Sequence, residues 1–150
     1  MLHDIHKPAL LVMAMILVGG CGKGTGGPTV LNARAQPYVP DLPVPIKFER
    51  DERTSRYTYT AGNRSVKDIY QGKTGALAVR NFYAHNMPLA GWELVDEALQ
   101  NAVYLLNYKK GDERCEIRIE RTPAGLRGTF TRIQATIGRE GYVTPTRTGD

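Results

Sequence analysis

Residues 114–121 read RCEIRIER, an unbroken two-residue alternation. In an extended chain successive side chains point to opposite faces, so Cys115, Ile117 and Ile119 share one face and Glu116, Arg118 and Glu120 the other. Thr131, Ile133, Ala135 and Ile137 repeat the pattern. One apolar face and one charged face describe an antiparallel sheet covered on a single side. The cover has to come from elsewhere in a chain of 150 residues, a length that supports one core.

The remaining elements follow from punctuation. Arg56-Tyr57-Thr58-Tyr59-Thr60 is β-prone, and Gly62-Asn63 reads as a two-residue hairpin turn into Arg64–Tyr70. Thr74 is placed to cap a helix running to about Asn86, with Ala76, Val79 and Tyr83 as its core face and Pro88 as its stop. Gly91 turns the chain into strands Trp92–Leu99 and Ala102–Lys109. Gly111-Asp112 leads into the alternating segment, and Pro123-Ala124-Gly125 into a last strand from Gly128 to Ile137. The order ββαββββ predicts an α+β two-layer sandwich, an antiparallel sheet of about six strands with one helix packed on one face.

The first 45 residues differ in kind. Lys7 precedes an apolar run from Ala9 to Val18, followed by Gly19, Gly20 and Cys21, which is the layout of a secretory signal over residues 1–20. Ten apolar residues span only about 15 Å, half of a hydrocarbon core, so a permanent membrane span is the weaker reading. Residues 22–45 hold four glycines and five prolines, a composition that predicts a tether over 21–45. Gly22-Lys23-Gly24-Thr25-Gly26-Gly27 matches a dinucleotide fingerprint in letters only, since it neither follows a strand nor opens a helix. The domain is then expected over 46–138, and a loose tail over 139–150.

Val18-Gly19-Gly20-Cys21 resembles the lipobox of bacterial lipoproteins. The resemblance implies acylation of Cys21, palmitate among its chains, and anchorage at the cell envelope with the domain facing the periplasm. Gly22, rather than Asp, after that cysteine favours the outer membrane over the inner. Asn81-Phe82-Tyr83, Met87-Pro88 and Gly91-Trp92, following Ile69-Tyr70-Gln71-Gly72, are similar to a pattern in small uncharacterised bacterial lipoproteins. The element order also faintly resembles helix-grip domains of envelope-assembly lipoproteins.

No catalytic set can be assembled. His85 is the one histidine outside the signal, and only Ser55 and Ser65 are serines. Neither serine sits in a nucleophile elbow, and multi-histidine metal sites are excluded, so neither metal nor cofactor is expected and the chain is read as non-enzymatic. Asp96 and Glu97 adjoin on a strand and so point to opposite faces, with Asp96 sharing that of Trp92 and Leu94. Cys115 is read as a small buried hydrophobe. The net charge of +5 is dispersed, with Tyr57 and Tyr59 beside Arg56. That balance suits a modest attraction to anionic headgroups or cell-wall polymers, and export makes nucleic acid the wrong partner.

Two functions fit these readings. One is a membrane-anchored domain that binds an envelope protein or supports an assembly. The other is a carrier that grips an apolar or glycan ligand between helix and sheet, near Tyr83, Trp92 and Tyr104.

Overall fold

The computed structural model describes residues 30–123 and 128–139. The expected signal, Cys21, the glycine run at 22–27 and the tail beyond 139 lie outside them. Seven strands and one helix follow in the order β1 (Glu49–Arg50), β2 (Arg56–Thr60), β3 (Asn63–Gly72), α1 (Ala76–Leu89), β4 (Glu93–Gln100), β5 (Val103–Lys110), β6 (Glu113–Pro123) and β7 (Thr129–Arg139). All pairings are antiparallel, in the order β1-β3-β7-β6-β5-β4, with β2 beside β1 on the same side of β3. The α+β sandwich with a single helix on one face is therefore the fold. The strand beyond the expected six is the two-residue β1.

The alternation in β6 and β7 sets the register of the sheet centre. Cys115 faces Ile137, Ile117 faces Ala135 and Ile119 faces Ile133, all buried on the face that α1 covers. Leu106 and Tyr108 of β5 and Val66 and Tyr70 of β3 extend this layer. From the helix, Ala76, Val79, Phe82, Tyr83 and Met87 are buried against it.

Four local expectations are corrected. The first hairpin turns on Ala61-Gly62, because Thr60 pairs with Asn63 and both turn residues have positive φ, the type I′ geometry that fits strand twist. The helix N-cap is Gly75 rather than Thr74, whose carbonyl instead accepts a hydrogen bond from the Thr131 hydroxyl. Pro88 lies inside the last helical turn, and the stop comes from Gly91 at φ +86°. The Gly91 and Trp92 amides donate to the carbonyls of Pro88 and Met87, a Schellman closure that brings buried Trp92 under the helix end.

The fourth correction is the largest. Residues 30–45 were expected in a free tether, yet Val39, Leu42 and Val44 are core residues, together with Phe48 just beyond. This stretch forms a strap across the covered face. It has almost no ladder of its own, only an isolated bridge between Ala33 and Pro45 and hydrogen bonds such as Arg34 amide to Val44 carbonyl. Its prolines exclude regular structure without excluding burial.

Candidate functional site

Side chains fix the strap at two ends of the sandwich. At one end Asp41 accepts both terminal nitrogens of Arg64, at 2.6 and 2.7 Å, and Lys110 Nζ at 2.8 Å. Arg64 also bonds Glu113, and Trp92 Nε1 donates to the Asp41 carbonyl. Burial opposes ionisation of Asp41, but the hydrogen bonds from Arg64 and Lys110 outweigh it and hold the carboxyl at about 2. Arg64 and Lys110 lie 5.8 and 5.6 Å from the Trp92 ring centroid.

At the other end Asp68 is fully buried on the covered face. Arg50 donates to its Oδ1 through Nε and Nη2, at 2.9 and 2.7 Å, and Tyr70 donates to Oδ2 at 2.8 Å. The Arg50 guanidinium stacks 4.9 Å above the Tyr38 ring of the strap. Burial, together with the bond to Asp68, keeps the Tyr70 phenol well above the usual range. The buried charges at both ends are thus paired, as burial requires.

The interior of the sandwich lacks that satisfaction. The hydroxyls of Tyr83 on α1 and Tyr108 on β5 are buried with no hydrogen-bond partner. Burial raises both phenols, Tyr108 to about 12 and Tyr83 well above its ordinary value. Tyr70, Tyr83, Tyr108 and Cys115 belong to one buried cluster between helix and sheet, with Asp68 bonded to Tyr70. A buried polar group without a partner costs about 1–3 kcal/mol, so two in one layer need an explanation. Cys115 is buried beside them, and burial pushes its thiol up, so it is held as a thiol.

The three aromatics expected to line a ligand site do not converge. Tyr83 is in this interior and Trp92 caps the Asp41 end. Tyr104, half-buried, faces Leu99 and Ile119. Trp92 precedes Glu93, which pairs with Lys109, so about five strand residues, roughly 17 Å, separate the Trp92 and Tyr104 ends. Tyr108, in the same buried cluster as Tyr83, is the other aromatic whose hydroxyl lacks a partner. Its signal was in the sequence, because the alternation Tyr104, Leu106, Tyr108 puts it on the core face.

A bulge at Val95 alters the remaining carboxylates. Leu94 pairs with Tyr108 but Asp96 with Asn107, so one residue is inserted and the faces exchange. Asp96 turns to the outer face, away from Leu94, and is exposed. Glu97 takes the covered face and pairs with Arg80 of α1, whose hydrogen bond lowers its carboxyl. Beside the bulge the outer face has an open depression of about 400 Å³ next to Val95, Asp96, Asn107 and Glu116. Among the described residues no group of three His, Cys, Asp or Glu is arranged to hold a metal, and no helix is long and apolar enough to cross a membrane.

Residues 50–131, more than half of the chain, match the family model described as START domain-like. The match runs from the end of β1 to the start of β7 and so contains both Tyr83 and Tyr108, with the strap outside it. No curated protein and no solved structure matches the chain.

Proposed function

The chain belongs to the START domain-like family, and from that premise we propose that it is a non-enzymatic carrier, tethered at the cell envelope, that takes an apolar ligand between α1 and the sheet. The observation that carries this reading is the pair of unpartnered hydroxyls of Tyr83 and Tyr108, in a covered face whose buried carboxylate, Asp68, is already paired with Arg50 and Tyr70. A ligand with an apolar body and one polar head satisfies them while its body rests among residues such as Val79, Leu106 and Ile117. Arg80 and Glu97, paired at the edge of the same layer, form a polar rim. The tether reading rests on the lipobox-like Val18–Cys21, with acylation at Cys21 and Gly22 favouring the outer membrane.

Native mass spectrometry of the purified full chain, followed by organic extraction, tests this. A retained lipid-like mass is expected. Tyr83→Phe and Tyr108→Phe should each weaken uptake of a fluorescent fatty acid by about five- to tenfold, the worth of one neutral hydrogen bond. No retained mass and no uptake by the wild type would sink the carrier. A second reading, an assembly-support domain that binds an envelope protein, draws on the unpaired edge strand β4, where Leu94, Val95 and Leu99 are exposed. Crosslinking from these positions in cells should then trap one discrete partner.

A further inference from the structure

We propose that the β2 edge of the sheet is a docking surface for an anionic bilayer. Arg56 of β2 lies directly opposite Lys67 of β3, two like charges across an antiparallel pair, an arrangement that destabilises the hairpin it sits in. Arg53 joins them from the preceding turn. None of the three has a carboxylate within 4 Å among the described residues, and Arg56 donates only to the carbonyls of Arg53 and Ser55. Of the neighbouring acids, Glu52 pairs with Arg50, while Asp51 accepts from Thr54 and from the Arg53 amide and keeps its charge in the turn. Two cations are thus held opposite one another, with Arg53 in the adjoining turn, at a cost that an external negative charge would relieve.

The same strand carries the second ingredient. All five residues of β2 are exposed, and Tyr57 and Tyr59 alternate with Arg56, Thr58 and Thr60. Both tyrosines are more than half exposed, at 55% and 65%. A strand approaching a surface edge-on presents both of its faces, so the tyrosines reach the headgroup level, where amphipathic rings are favoured, alongside the cations.

Chain geometry supplies the third. Ala33 bridges Pro45 and Arg34 donates to the Phe48 carbonyl, so the start of the described chain lies beside the segment that enters β1. β1 and β2 share one side of β3, with Arg50 and Arg56 opposite residues only three apart on that strand. Eight residues separate Cys21 from Val30, a span of at most about 30 Å when fully extended. If Cys21 is lipidated, as the tether reading holds, the short leash brings this edge toward the bilayer.

Cosedimentation of the full chain carrying Cys21→Ala tests the surface apart from the anchor. The probes are vesicles of pure phosphatidylcholine and vesicles with 30% phosphatidylglycerol. The expected result is a preference for the anionic vesicles that is lost in high salt. Each cation near such a surface contributes roughly fivefold, so Arg53→Ala/Arg56→Ala/Lys67→Ala should remove up to about a hundredfold of that preference. Lys67→Glu gives a reading that no folding defect imitates: it relieves the like-charge pair and raises the melting temperature while lowering anionic binding. Equal partitioning into both vesicles, or a preference that survives in both variants, would overturn the surface. Palmitate labelling of the wild-type chain reports on the anchor independently, so failure of one leaves the other standing.

Discussion

The sheet centre and the strap bury apolar side chains equally well, but they hold them differently. In β6 and β7 every buried residue sits on a paired backbone, eleven register positions long. Between Val30 and Phe48 burial is just as complete at Val39, Leu42 and Val44, yet what fixes the segment is side-chain chemistry: Asp41 on Arg64 and Lys110, the Trp92 indole on the Asp41 carbonyl, and Tyr38 beneath Arg50. Burial alone therefore does not say how a segment opens. A ladder opens with the whole sheet, whereas a strap can lift as a unit once its clamps fail.

Ile117→Ala attacks the ladder and should have the largest effect, about 2–5 kcal/mol of global stability. Hydrogen exchange should then accelerate throughout β5, β6 and β7. Leu42→Ala removes a similar apolar volume from the strap and sharpens the contrast. Exchange at the Arg34, Leu42 and Ile46 amides should rise well before the ladder responds, and equal acceleration in both regions would show that strap and sheet open together.

Gly72→Ala comes next, at about 1–3 kcal/mol. The Phe48 ring lies flat on Gly72, and a Cβ there would stand 2.8 Å from its carbons. Real Cβ atoms do not come so close to ring carbons, so the strap must give way. In a Phe48→Leu background the same substitution should cost much less, and an unchanged cost in that double-mutant cycle would locate the strain in β3 itself.

How much of this was readable in advance follows the same division. The ladder was legible because alternation is a local property, and the one-residue slip at Ala61-Gly62 is the kind of detail that turn geometry decides. The bulge at Val95 was not legible. Leu94-Val95-Asp96 carries no glycine to mark it, and only the register against Tyr108 and Asn107 reveals that Asp96 and Glu97 exchange faces. The strap is not legible, because its proline density predicts irregular backbone and says nothing of whether that backbone packs. Its Val39, Leu42 and Val44 are visible in the sequence, but the partners that bury them are distant along the chain. The site divides similarly: Tyr83 follows from helical spacing and the core face of Tyr108 from strand alternation, but that both hydroxyls lack a partner shows only once the side chains are packed.

Asp41→Asn tests the clamp itself. The sign follows from the lowered carboxyl: a group held at about 2 when folded and 3.8 when free stabilises the fold above about pH 4, and that contribution fades as the pH falls toward 2. The melting temperature of the wild type should drop across this window, and Asp41→Asn should flatten part of the drop. At neutral pH the substitution should cost about 1 kcal/mol, since the pair is partly solvated and Arg64 keeps Glu113. Strap amides should again exchange first. An identical acid profile in the variant would mean that other carboxylates, such as Glu97 with its own lowered value, govern acid unfolding.

The smallest expected effect separates the carrier reading from a merely imperfect core. Tyr83→Phe deletes a hydroxyl that has no partner, so in ligand-free protein it should leave stability unchanged or raise it by up to about 1 kcal/mol. If a ligand head pairs with that oxygen, the same change should lower the ligand-bound melting temperature, because binding to the folded state adds stability through its affinity. The two shifts have opposite signs, so one thermal titration with a fatty acid distinguishes them. Stabilisation with and without ligand would make the hydroxyl a packing defect. Destabilisation in both would mean that Tyr83 pairs within the fold, and the interior would then lose its claim to be a site.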